Sequence, residues 1–123
     1  MNPAPFEASA ARLDDGVHVV SVRGELDLST AAELERPLEE AVSAGDSAVL
    51  IDLTACEFID STGIAVIVRA WQRLDCGADG NGSGRVAICS GNDQVRRVLD
   101  VTGLDDSIPV HATRDEGLAA LRG

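Results

Sequence analysis

The chain has 123 residues, enough for one domain that buries roughly two-thirds of its unfolded surface. Its formal net charge is −11 and all ten cations are Arg, so no basic stripe is present to neutralise phosphates, which argues against nucleic-acid binding. Hydrophobic content is 45%, but Phe6, Phe58 and Trp71 are the only aromatics, so the core must be built from Val, Leu, Ile and Ala, a composition suited to α/β layering.

In chain order, "FEASAARL" (Phe6–Leu13) and "VHVVSVRG" (Val17–Gly24) flank "DDG", and the second run alternates in strand fashion, which predicts a β-hairpin. "ELDLST" follows. Thr30 and Glu33 have the spacing of a capping box, and Leu34, Leu38, Ala41 and Val42 share one helical face, so a helix is expected from about Thr30 to Ala44. Pro37 lies inside it and has no N–H for the Glu33 carbonyl, at a cost of roughly 3 kcal/mol against Ala. A kink or a late helix start is therefore expected. "AVLIDL" (Ala48–Leu53) is a continuous apolar run of strand length, the mark of a central strand covered on both faces.

Asp60 or Ser61 then caps a second helix, whose Ile64, Ile67, Val68, Trp71 and Leu74 form a core-facing stripe. "DCGADGNGSGR" (Asp75–Arg85) carries four of the twelve glycines and reads as a flexible loop, as do residues 1–5. It lacks the Lys and the spacing of a phosphate-binding P-loop. "VAICS" is a short strand, and "NDQVRRVLDVTG" a helix with Val95, Val98, Leu99 and Thr102 on one face and Gly103 at its C-terminal cap. "IPVH" (Ile108–His111) is a last strand, and Thr113 with Glu116 forms a second capping box ahead of Leu118 and Leu121. The order β-β-α-β-α-β-α-β-α predicts a single α/β domain over residues 1–123, with a mostly parallel sheet, one antiparallel edge strand and about four helices. Loops after parallel strands gather at one sheet end, where open α/β sheets carry their sites.

The longest apolar run is the five residues from Ile64 to Val68, and the start "MNPAPFEASAAR" has neither a charged n-region nor an apolar h-region, so a soluble, unexported protein with no membrane association is expected. Cys56, Cys76 and Cys89 are odd in number and scattered, which suits neither a disulfide framework nor a structural zinc site and points to a reducing cytoplasm. No metal or cofactor is expected. Cys56 and Cys89 both follow central strands, so their pairing under oxidation is one further expectation.

The stretch most informative for function is "CEFIDSTGIAVIV" (Cys56–Val68), which sets a small polar cluster where a buried strand hands over to a buried helix. Either Asp60 and Ser61 only satisfy free backbone N–H groups at the helix start, or a hydroxyl is displayed there for chemistry. Gly63, in the first turn, costs about 1 kcal/mol against Ala, a cost that close approach by another backbone would explain. Ala65 and Val66 fall off the apolar stripe and would expose small apolar surface beside the hydroxyl as a docking site, or else contact a neighbouring helix.

The segments "VRGELDLSTAAELERPL", "VLIDLTACEFIDSTGIAVIVRA" and "VRRVLDVTGLDDSIPV" together resemble the STAS domain of bacterial anti-sigma factor antagonists, in matching order and spacing over nearly the whole chain from Val17. The resemblance implies a small α/β domain that binds an anti-sigma factor which is also a serine kinase, a histidine-kinase-like ATPase, and so frees a sigma factor. It implies that the kinase inactivates the domain by phosphorylating Ser61 and that a serine phosphatase reverses this; separately, the acidic surface should discourage self-association and keep the free chain a monomer when dilute. Asp60 is the family neighbour of that serine, Asp27 of "GELD" matches the acidic residue that helps engage the kinase, and Thr62 and Gly63 complete the motif. The implied partner-binding set, with the docking patch, is Asp27, Asp60, Ser61, Thr62, Gly63 and Val66. Two departures stand out: the glycine-rich stretch from Gly77 to Gly84 is longer than the family's usual turn, and Pro37 interrupts the first helix.

Enzymatic readings fare poorly. An aspartic protease needs Asp-Ser/Thr-Gly, but Gly63 comes three residues after Asp60 instead of two. A serine hydrolase lacks its G-x-S-x-G, and of the two histidines His18 should face solvent in the hairpin, while His111 ends a strand that could approach Ser61. The remaining alternative is a STAS scaffold or ligand-binding module in a signalling assembly that lacks a phosphorylation switch. No nucleotide site is expected, because no phosphate loop is present.

Overall fold

The computed structural model of the chain describes residues 6–13, 16–43, 48–76 and 85–122. Two antiparallel strands, β1 (Glu7–Arg12) and β2 (His18–Leu26), form the predicted hairpin, closed by the Leu13 amide donating to the Val17 carbonyl. β3 (Ala48–Ile59), β4 (Arg85–Cys89) and β5 (Val110–His111) extend it as parallel neighbours, giving one five-stranded sheet in the order β1-β2-β3-β4-β5. The helices α1 (Ala31–Ser43), α2 (Ser61–Cys76) and α3 (Asp93–Val101) make the crossovers, followed by the single turn α4 (Leu104–Ser107) and the final α5 (Arg114–Arg122).

Each sheet face has its own apolar layer. Val20, Val22, Val49, Ile51 and Ile88 pack with α1, α2 and α3, the larger core. Val19, Leu50, Ala87 and Cys89 pack with Leu118 and Leu121 of α5. Strands buried on both faces need apolar side chains at successive positions, which is why Val49, Leu50 and Ile51 are all within 1% of full burial. Each such side chain contributes about 1.5–3 kcal/mol by leaving water.

The first helix begins at Ala31, ahead of Pro37, so the expected late start does not occur; Pro37 lies buried within a continuous helix. Leu34, Leu38 and Ala41 are buried as the pattern predicts, while the side chain of Val42 lies outside the described residues. Along α2, Ile64 and Ile67 are buried and Val68 and Trp71 half-buried on the core; the Leu74 side chain is not among those described. α2 runs on to Cys76 and β4 starts at Arg85, which narrows the expected loop to 77–84, outside the described residues, as residues 1–5 also are.

At the end of α3, Gly103 takes φ +78°, the left-handed conformation predicted for the residue past a helix C-terminus. Thr102 is exposed instead of joining the buried face, and its hydroxyl donates to the Val98 and Leu99 carbonyls. At α5 the Thr113 hydroxyl accepts from the Glu116 amide at 3.2 Å, as a capping box requires, while the Glu116 carboxylate reaches back to the Ala112 amide, one residue further than the motif specifies.

The largest departure is the length of β3. An apolar run ending at Leu53 suggests a strand that stops there, whereas β3 continues to Ile59. Its register against β2 slips twice: Ser21 faces Asp52 but Arg23 faces Ala55, and Gly24 faces Cys56 but Glu25 faces Phe58. At each slip β3 carries one extra residue, a β-bulge, which resets the in-out alternation. Leu53, Cys56 and Ile59 therefore all reach the same core at intervals of three residues, with exposed pairs between them.

Candidate functional site

The two long strands β2 and β3 end side by side, and their ends build the site. The Asp60 amide donates to the Leu26 carbonyl at 3.1 Å, which joins the chain leaving β3 to the end of β2. Asp27 thus follows β2 and Ser61 follows β3 at the same margin of the sheet.

Beyond Leu26 the chain folds into a locked turn. One Asp27 carboxylate oxygen accepts from the Ser29 amide (2.9 Å) and the Ser29 hydroxyl (2.6 Å). The Asp27 carbonyl accepts from the Thr30 and Ala31 amides. The Thr30 hydroxyl accepts from the Asp27 amide at 2.9 Å and donates to the Glu25 carbonyl at 2.7 Å. The expected Thr30–Glu33 capping box is therefore absent: the hydroxyl is committed backwards into the turn, and the Glu33 amide bonds to the Thr30 carbonyl. The Ser29 hydroxyl, the main influence on Asp27, holds its carboxyl below the usual carboxylate range.

On the β3 side, Asp60 is the cap of α2. One of its carboxylate oxygens accepts from the Thr62 amide (2.9 Å) and the Gly63 amide (3.1 Å), and its carbonyl takes the first helical bond from Ile64. Ser61, the first helical residue, is exposed, and its hydroxyl has no hydrogen-bond partner among the described residues. The two possibilities left open for the Asp60–Ser61 pair are thus divided between them: Asp60 caps, and the Ser61 hydroxyl stays available.

Gly63 is placed otherwise than expected, and Val66 takes the second of its two expected places, against a neighbouring helix. Gly63 is buried, and a Cβ there would lie 2.7 Å from Leu26 Cγ and 3.1 Å from Ile59 Cγ1, so its small size serves the packing of α2 onto the strand ends and not the approach of another backbone. Val66 is only 4% exposed and faces α1, forming the floor of an interhelical groove with Leu38 and Ala70; Ala65 alone is exposed. Arg69–Glu35 (3.0 Å) and Arg73–Glu39 ion pairs close this groove. Gly63 and Val66 are both buried, unlike the exposed docking surface expected there. The residues displayed are Asp27, Asp60, Ser61 and Thr62, together with Leu28 and Phe58, exposed to 79% and 42%, which the sequence reading passed over.

Three further expectations are corrected. His18 is 7% exposed, aligned between Arg12 of β1 and Val49 of β3, where both sheet faces are covered. His111 pairs in register with Cys89, and Cys89 with Asp52, so it lies two strands across from β3 and, because Asp52 and Ile59 face Ser21 and Leu26 five positions apart on β2, about 17 Å back from the end of β3 at ~3.3 Å per residue. It cannot serve as a base for the Ser61 hydroxyl. Cys56 packs in the helix-covered core and Cys89 in the α5 layer, so the two thiols lie on opposite faces of the sheet and cannot pair.

On the α5 face lies a buried carboxylate, Asp52, which accepts from the Thr54 amide and hydroxyl and from the Cys89 thiol (3.4 Å) and pairs with Arg114 at 3.6 Å. Burial, then the Asp52 charge, pushes the Cys89 thiol up to about 12. These groups satisfy one another and fix α5 to the sheet. Among the described residues no His, Cys, Asp and Glu cluster could hold a metal ion, and no helix is long and apolar enough to cross a membrane.

Residues 8–117 match the STAS domain model, and the chain belongs to that family, among the anti-sigma factor antagonists. The anti-sigma-F factor antagonist RsfB of Mycobacterium tuberculosis is 31% identical over 109 residues, 89% of this chain and 84% of that protein. The anti-sigma-B factor antagonist of Staphylococcus epidermidis is 30% identical over 97 residues, 79% of this chain and 85% of that one. The crystal structure of an anti-sigma factor antagonist from Mycobacterium paratuberculosis overlays with a TM-score of 0.85 at 33% identity, covering 97% of this chain and 96% of that one. SpoIIAA in its unphosphorylated form shares the fold, with a TM-score of 0.75 at 21% identity over 95% of this chain and 97% of that one.

Proposed function

We propose that this chain is a phosphorylation-switched antagonist: it binds an anti-sigma factor that is also an ATP-dependent serine kinase, and phosphate on Ser61 ends the complex. The observation that carries this reading is the division of labour at the start of α2, where Asp60 takes the capping bonds and leaves the Ser61 hydroxyl exposed and unbonded. A hydroxyl engaged in capping would have to break that bond before transfer. Ser61 Oγ attacks the γ-phosphorus of the partner's ATP, ADP departs, and the hydroxyl proton passes to a base supplied by the partner. A serine phosphatase resets the switch, and the free chain works as a cytoplasmic monomer where ATP is at hand. It performs no turnover of its own.

Phosphate adds a charge of about −1.5 to −2 beside Asp60 and Asp27, which are already anionic. Docking a partner over that group requires its removal from water, and a penalty of roughly 3–4 kcal/mol weakens affinity on the order of a hundred- to a thousandfold. SpoIIAA, which shares the fold, also has a phosphorylated form. The test is to incubate wild type, Ser61→Ala and Thr62→Ala with the kinase this chain captures and ATP, map the phosphate by mass spectrometry, and titrate binding with ADP. Wild type and Thr62→Ala should take phosphate and Ser61→Ala should bind without taking it. Phosphate on Thr62 alone, or undiminished binding by phosphorylated wild type, overturns the switch in favour of a scaffold.

A further inference from the structure

Leu28 is the most exposed large apolar side chain among the described residues, at 79%, in a chain that buries Leu26, Leu34, Leu50, Leu53 and Leu99 completely. It stands at the tip of the Asp27–Thr30 turn, which both hydroxyls and the Asp27 carboxylate lock from inside. Phe58, 42% exposed, lies beside the same margin, paired in register with Glu25. Around them stand Glu25, Asp27, Glu57 and Asp60, none of which forms an ion pair among the described residues; the ion pairs described there join Arg23–Glu7, Arg69–Glu35, Arg73–Glu39 and Arg114–Asp52.

An isolated surface leucine needs no explanation. A leucine on a prefixed turn, at a sheet margin that also exposes Phe58 and carboxylates without ion pairs among the described residues, has the make-up of an interface hot spot: an apolar centre, a charged edge and little ordering cost on binding. We infer that, given the antagonist role proposed above, Leu28 is the apolar anchor of the anti-sigma factor interface and sets partner choice, entering an apolar pocket of a partner whose pocket rim carries Arg or Lys. The rim charges steer the encounter and respond to salt, whereas Leu28 supplies a salt-insensitive hold that slows dissociation.

The probe is the purified anti-sigma factor kinase retained by wild type, titrated with ADP against Leu28→Ala, Leu28→Gln, Phe58→Ala and Val101→Ala. Val101 is the control: it is 76% exposed, but at the C-terminal end of α3, which runs back toward the opposite end of the sheet. The expected result is a loss of about ten- to a hundredfold in affinity for both Leu28 variants. Phe58→Ala should lose less and Val101→Ala nothing, with urea unfolding unchanged for the Leu28 variants. In the phosphorylation assay KM should rise for Leu28→Ala while kcat holds, and the fold-loss should be the same at 50 and 300 mM salt. Wild-type binding with Leu28→Ala within twofold of it overturns the anchor and leaves the antagonist role intact. An equal loss in Val101→Ala also overturns it. A wild type that retains no such kinase overturns both the role and the anchor.

Discussion

The Asp60 amide donates to the Leu26 carbonyl while the Asp60 carboxylate accepts from the Thr62 and Gly63 amides, so one residue closes the β2–β3 pairing and opens α2. Replacing it by Ala removes two capping bonds and keeps the backbone bond. Asp60→Ala should lose about 1–2 kcal/mol of stability, and Asp60→Asn, whose amide oxygen can still accept, only a few tenths. Urea unfolding followed by circular dichroism separates the two, and equal losses would remove Asp60 from the capping role.

Gly63→Ala sets two effects against each other. Alanine favours the helix by about 1 kcal/mol, but its methyl would sit 2.7 Å from Leu26 Cγ and 3.1 Å from Ile59 Cγ1, both on fully buried side chains. Because the clash falls on Cγ of a fully buried Leu26 and not only on its flexible end, overpacking of about 1–3 kcal/mol wins and the variant should be destabilised. A double-mutant cycle with Leu26→Ala checks the cause: the Gly63→Ala penalty should vanish once Leu26 is trimmed.

Cys56 and Cys89 should both resist alkylation at pH 8 in the folded protein and react on unfolding, as burial raises each thiol above its ordinary range. For Cys89 the sign of the pH effect follows directly. Its pKa is raised to about 12 from an ordinary 9.0, so between those values the folded state holds the proton that the unfolded state has released. Stability is therefore fully present below about pH 9 and falls as pH rises toward 12. Cys89→Ala should flatten that alkaline slope in denaturant titrations run from pH 8 to 11. A slope identical to wild type would assign the effect to other groups.

Most of the architecture was legible because its signals are local. The hairpin turn, the continuous apolar run of β3 and the 3.6-residue stripe of α2 each follow from neighbouring residues. What escaped were features set by contacts across the sheet. The second half of β3 reads as irregular because two bulges turn its two-residue period into steps of three at Leu53, Cys56 and Ile59. The Thr30–Glu33 spacing points to a capping box, but a hydroxyl within reach of two backbone groups is decided by the turn around it, here the Asp27 amide and the Glu25 carbonyl. Val66 lies off the stripe facing the sheet, which left docking surface and contact with a neighbouring helix both open; its burial against α1 decides for the second, and only the position of α1 could decide it. Leu28 carried a signal, an apolar residue between Asp27 and Ser29 in a turn, but a lone leucine in a loop says nothing until its exposure and the rigidity beneath it are known.

Phosphorylation of Ser61 should leave the fold's stability within about 1 kcal/mol of the unmodified protein, because two effects of similar size oppose. A helix N-terminus favours a negative group by roughly 0.3–1 kcal/mol. At α2, however, the amides such a group would seek from Thr62 and Gly63 are already bonded to the Asp60 carboxylate, and Ile64 bonds to the Asp60 carbonyl, so the phosphate meets a charged neighbour in place of free donors. Substituting that neighbour tips the balance. In Asp60→Asn the dipole term should outweigh the reduced repulsion, so phosphorylated Asp60→Asn should be more stable than its unphosphorylated form. In wild type the difference should be near zero at low salt and drift toward stabilisation as salt screens the Asp60–phosphate repulsion faster than the close dipole contact. Chemical denaturation of both forms of both proteins at two ionic strengths tests this. A large stabilisation of phosphorylated wild type at low salt would mean that the phosphate displaces Asp60 from the cap, and the switch would then rest on a rearranged helix start instead of an added charge.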